Sequence, residues 1–125
     1  MLTRYRMARG VHAAALPKGV RQDTRKHTRH VLRPTGAMVE GYLAAPNDEA
    51  WRRVAKQYRA LLEERFADDR SAFDEIAELV RTNDVYLGCS CPTKKNPSVR
   101  HCHTWLALEF FSERYPDLDV RMPSE

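Results

Sequence analysis

The sequence predicts an α/β fold: a small, mainly parallel sheet in a three-layer arrangement with flanking helices. Three observations carry this reading. Val85-Tyr86-Leu87-Gly88-Cys89 is an apolar run of strand length, as a buried strand requires. Four other stretches repeat their apolar residues at helical spacing. The resulting order is strand, helices, strand, helix, strand, which closes most simply as parallel strands joined by helical crossovers. A chain of 125 residues fits one domain, 1–125, with a single hydrophobic core.

From the N-terminus, Leu2 to Met7 alternates loosely and reads as the first strand, ended by Gly10. Residues 11–33 show no clean period and read as a basic irregular segment, containing Pro17, Gly19 and the polar run Arg21 to His30. Thr35 is placed to cap a helix bearing Met38, Val39, Tyr42 and Leu43. Pro46-Asn47-Asp48 breaks it, and Asp48 can cap the next. There Trp51, Val54, Ala55, Tyr58, Leu61 and Leu62 form one apolar stripe. Asp69 or Ser71 starts a further helix with Phe73, Ile76, Ala77 and Val80 inward, and Asp74 and Glu75 in a first turn that suits the helix dipole. Asn83-Asp84 turns the chain into the apolar strand. Residues 92–100 form a loop with two prolines, and His101 to Tyr115 is a largely apolar helix. After Pro116, Leu118, Val120 and Met122 alternate as a last strand.

Charge is uneven along the chain. Residues 1–35 hold nine Lys or Arg against one acid, Asp23, while the remaining 90 hold 12 basic and 16 acidic groups. Such asymmetry fits a polyanionic partner, a nucleic acid or a nucleotide phosphate, with Arg21, Arg25, Lys26 and Arg29 supplying attraction. A solvated basic segment explains the same pattern. No apolar run can span a bilayer, so no membrane partner is expected. MLTRYRMARG lacks the apolar core of a secretory signal, so a cytoplasmic location is the expectation. The oligomeric state is left open.

The most informative stretch is Cys89-Ser90-Cys91-Pro92, followed after a loop by His101-Cys102-His103 at a helix start. In parallel sheets ligands sit beyond the carboxyl ends of the strands, where Cys89 falls. Cys102 and His103 fall at a helix N-terminus, whose unpaired N–H groups favour a thiolate, a phosphate or a carboxylate. Three readings stay open. One is a reactive thiol, Cys89 or Cys102, tuned by His103. The second is a zinc site from Cys89, Cys91, Cys102 and a histidine, His103 or His101. The third is an anion pocket in which Ser90, Arg100, His101, Arg25 and Lys26 bind the ligand; Thr93, Lys94, Lys95 and Ser98 are further donors. An odd cysteine count without a secretory signal argues against a disulfide framework. Buried thiols packing as small hydrophobes remain the bland alternative.

These residues resemble the YeaO-like domain of unknown function family 488. There a strand ends in Cys, and a later Cys-His opens the final helix, matching Cys89, Cys102 and His103. The helix with Trp51, Tyr58 and Leu61 is similar too. A neighbouring family of unknown function, 4326, carries a C-x-C…C-H pattern that also covers Cys91. The resemblance spans roughly residues 32–111 and implies an α/β fold and a site, with no reaction attached.

Other residues invite blander readings. Trp51, Tyr58 and Phe73 lie on apolar stripes and read as core. Tyr5 among Arg4, Arg6 and Arg9 could interleave stacking with charge, as single-strand binders do, or could face solvent from a strand. His27 and His30 could reach phosphate, or sit exposed and idle. No Gly-rich dinucleotide loop, P-loop or H-E-x-x-H is present.

Overall fold

A computed structural model describes residues 1–10 and 12–124. Strands β1 (Leu2–Arg6), β2 (Val20–Asp23) and β3 (Val85–Cys89) form one parallel sheet in the order β1-β3-β2. Helices α1 (Gly36–Ala44), α2 (Asp48–Asp68), α3 (Arg70–Thr82) and α4 (His103–Arg114) flank it, with short 3-10 turns at Ala13–Ala15 and Val99–His101. The fold is α/β, as the element order predicts.

The register sets which side chains share a face. Leu2 pairs with Val85 and Arg4 with Leu87, while Val20 also pairs with Val85. All five therefore project to the same side, because residues two apart on a strand share a face. On that side Leu2, Val85 and Leu87 join Tyr58, Leu62, Phe73, Leu108 and Phe111 in the core. Thr3, Tyr5 and Tyr86 point the other way and are half-buried.

The caps follow local chemistry. Thr35 Oγ1 accepts from the Met38 N–H at 3.1 Å, as its position predicts. For α2 the cap is Asn47, whose Oδ1 accepts from the Ala50 N–H at 2.8 Å; Asp48 lies inside the first turn, where it meets the helix dipole. α3 begins at Arg70, so Asp74 and Glu75 lie beyond its first turn. Asp74 instead accepts from the Tyr115 hydroxyl at 2.6 Å. α4 begins two residues later than its apolar pattern suggests, because Val99–His101 is a separate 3-10 turn.

Two elements differ from expectation. The segment 11–33 contains β2, which periodicity does not reveal because Val20 is its one apolar residue. What holds β2 is backbone pairing, and Gly19 permits it. Gly19 has φ +138°, and a Cβ there would stand 2.5 Å from Asp84 O, the oxygen that accepts the Val20 N–H at 2.8 Å. Conversely, residues 118–122 do not form a strand. One bridge joins Val120 to Leu2, supported by Leu2 N–H to Asp119 O and Arg121 N–H to Leu2 O, both 2.8 Å. Met122 is left exposed. Among the described residues no helix is long and apolar enough to cross a membrane.

Candidate functional site

The carboxyl ends of the three parallel strands meet the N-terminus of α4. β3 delivers Cys89 at its last position, and the chain turns through Ser90, Cys91 and Pro92. The loop returns through Asn96 and the 3-10 turn to Cys102, the N-cap of α4. The sulfurs of Cys89, Cys91 and Cys102 all lie within 4.8 Å of one another, and all three are free thiols. Three cysteines this close can hold a metal ion. His103 is buried beside them, its Nδ1 3.8 Å from Cys102 Sγ, but it stands outside the three-sulfur set.

Hydrogen bonds fix the roles of the surrounding groups. Thr24, fully buried just past β2, donates its hydroxyl proton to Gly88 O at 3.0 Å. A hydroxyl has one proton, so His103 Nε2, 2.8 Å away, is the donor to Thr24 Oγ1. That leaves Nδ1 facing Cys102. Asn96 donates through Nδ2 to His101 O at 2.6 Å and to Cys91 Sγ at 3.3 Å, and its buried Oδ1 has no partner among the described residues. Thr104 Oγ1 donates to Cys102 Sγ at 3.1 Å. Two of the sulfurs therefore act as acceptors.

Beneath the cluster lies Arg4, 9% exposed on the core face of β1. Its Nε donates to Thr104 Oγ1 at 3.1 Å and its Nη2 to Cys91 O at 2.6 Å, with Cys102 Sγ 4.0 Å away. No carboxylate pairs with it among the described residues. A buried guanidinium needs a compensating charge, and the sulfur cluster is the group in place to supply it.

The titration directions agree. Cys102 is held well below the ordinary thiol value because Cys89 and Cys91 donate hydrogen bonds to it, and the His103 charge adds to this against the effect of burial. Cys89 and Cys91 are pushed up chiefly because they are those donors. Burial alone would lower His103, but its contacts with Cys102 and Cys89 together outweigh this and hold it at about 9. The pattern is a Cys102 thiolate beside a His103 imidazolium, at a helix N-terminus whose dipole favours the anion.

A cavity of about 330 Å³ opens above this floor. Met38, Val39, Tyr42, Trp51 and Val54 form an apolar wall, and the basic side chains of Arg25 and Lys26 line the cavity together with His27. Ser90, Thr93 and His101 line it as well. His101 stacks on Trp51 with ring centroids 5.2 Å apart, and its Nδ1 is hydrogen-bonded with the Tyr42 hydroxyl at 2.8 Å. Arg25 grips Asp23 through Nε at 3.0 Å and Nη2 at 2.8 Å, and Lys26 lies 3.4 Å from Glu40.

Cys89, Cys91, Cys102, His103, Ser90, His101, Arg25 and Lys26 thus surround one cavity. Arg100 does not line it; its guanidinium lies 5.3 Å over the Trp105 ring. Arg21 donates to Pro17 O, and Arg29 lines a different cavity with His30. His30 is half-buried rather than exposed: burial depresses it to about 4, and its Nδ1 accepts from the Leu32 N–H. Sequence reading missed Arg4, Thr24 and Asn96, and it assigned Trp51 to the core alone.

Residues 2–115 match the family model DUF488-N3a, described as the active DUF488-N3 subclade. The chain belongs to the DUF488 family. The matched region runs from β1 to just past α4, so every residue of the DUF488 cluster lies inside it. No curated protein and no solved structure matches the chain.

Proposed function

We propose that this DUF488 protein binds a small phosphate-bearing ligand of nucleotide type and acts on it through the Cys102 thiolate. One observation carries the reading: a single cavity joins an apolar wall, the basic side chains of Arg25 and Lys26 and a floor of three cysteines. Its volume lies at the small end of ligand pockets, roughly 300–1,000 Å³. Trp51 and Tyr42 suit a planar ring, and Lys26, Arg25 and the α4 N-terminus suit a phosphate. His103 balances the thiolate, while the Cys89 and Cys91 thiols direct their protons at it. A cavity of about 330 Å³ favours a mononucleotide over a long nucleic-acid strand. A zinc ion on the cysteines is the second reading, favoured by the hydrogen bonds that Asn96 and Thr104 give to sulfur. Free thiols suit the reducing cytoplasm, where we place the protein.

Calorimetry with nucleoside monophosphates, inorganic phosphate and a short single-stranded oligonucleotide tests the reading. A monophosphate is expected to bind saturably and more weakly as salt rises. Trp51→Ala and Lys26→Ala should each weaken it about tenfold, the equivalent of 1.4 kcal/mol. No binding by any of these phosphates at low salt overturns the proposal.

A further inference from the structure

We infer that Cys89, Cys91 and Cys102 form a three-sulfur site for zinc or a similar soft divalent cation, with its fourth coordination position opening into the cavity. This rests on the cavity reading only for the identity of the fourth ligand, and it makes Cys102 a metal ligand where that reading has it as a free thiolate.

The three sulfurs, within 4.8 Å of one another, come from a strand end, the turn after it and a helix N-cap. Zinc–sulfur bonds of about 2.3 Å in a tetrahedral site place sulfurs about 3.8 Å apart, so closure needs a contraction of about 1 Å or less. The polar shell that metal thiolates need is already present. Thr104 donates to Cys102 Sγ, Asn96 donates to Cys91 Sγ, and Arg4 lies beneath. Three thiolates on a divalent cation carry one net negative charge, and the buried Arg4 guanidinium stands 4.0 Å from Cys102 Sγ. Each thiol that ligates gives its proton to solvent.

His103 is not the fourth ligand. Its Nε2 is committed to Thr24, and its Nδ1 stands outside the three-sulfur set. All three cysteines line the cavity, so the remaining position belongs to what the cavity holds, a water or a phosphate oxygen. Reactive zinc sites keep such a position open, whereas purely structural ones close it with a fourth side chain.

The test is a cobalt(II) titration of the reduced, metal-free full chain, followed by zinc. One equivalent of cobalt should give sulfur-to-metal charge-transfer bands and tetrahedral ligand-field bands, and zinc should displace it. Cys91→Ser should weaken cobalt binding at least tenfold, while His103→Gln should retain the bands. Inorganic phosphate or azide added to wild type should shift the ligand-field bands. Absence of stoichiometric cobalt binding overturns the site. Bands lost in His103→Gln and indifferent to phosphate and azide in wild type overturn the open position; if that variant does not fold, the wild-type anion response alone decides. Cobalt binding without any nucleotide binding, to the free or metal-loaded chain, defeats the cavity reading and leaves the metal site standing. Nucleotide binding without cobalt does the reverse.

Discussion

Replacing Arg4 with methionine is expected to destabilise the metal-free protein by about 3 kcal/mol, the scale seen when one partner of a buried charge pair is removed. Methionine fills much of the volume, so packing contributes little. The loss comes from polar groups left stranded. Cys91 O loses its 2.6 Å donor, Thr104 Oγ1 loses its 3.1 Å donor, and the Cys102 thiolate loses the nearby guanidinium. Arg4→Lys should recover only part of this, because an ammonium cannot serve Thr104 and Cys91 in the same fork. Denaturant unfolding of the three proteins measures it. A loss below about 0.5 kcal/mol for Arg4→Met, as for an ordinary surface change, means that the cluster carries no charge for Arg4 to balance.

The second large effect is a stability profile with two limbs. Cys102 has a folded value well below the ordinary 9.0, so between that folded value and 9.0 the unfolded chain binds more protons than the folded one. Its contribution is complete above 9.0 and is lost as pH falls through the folded value. His103 works in the opposite sense. Its folded value of about 9 exceeds the ordinary 6.5, so its contribution is complete below 6.5 and declines up to about 9. Between 6.5 and 9.0 the two slopes cancel, and the pair gives a plateau. Cys89 and Cys91 are raised, so unfolding releases their protons above 9.0 and stability then falls. Thermal melts of the metal-free protein should therefore peak between pH 6.5 and 9.0. Cys102→Ser should flatten the acid limb relative to wild type, and Cys89→Ser the alkaline one. Parallel profiles for all three proteins contradict the assignment.

Much of this was legible in the sequence, for physical reasons that differ by element. β3 announces itself because its five residues are a continuous apolar run at the centre of the sheet, and α2 because one face of a solvated helix must repeat. β2 is silent because it is a polar edge strand held by backbone bonds and by the freedom of Gly19. Residues 118–122 alternate like a strand, but they contribute one bridge, leaving Met122 in solvent. The cluster was visible because Cys89, Cys91, Cys102 and His103 lie close in sequence. Its supports were not. Thr24 and Asn96 gain meaning only when the parallel register and the loop return bring them in. Arg4 did leave a signal: the alternation from Leu2 places it on the inward face, where an arginine demands a partner. Arg25 and Lys26 join the cavity because β2 ends just before them.

The most direct measurement is the ultraviolet thiolate absorbance of the metal-free, reduced protein, taken as the difference between wild type and Cys102→Ser. One thiolate present at neutral pH in wild type and missing from the variant is the expected result. No difference until the pH reaches the ordinary thiol value of 9.0 contradicts an ionised Cys102, and with it the chemistry assigned to the cavity floor.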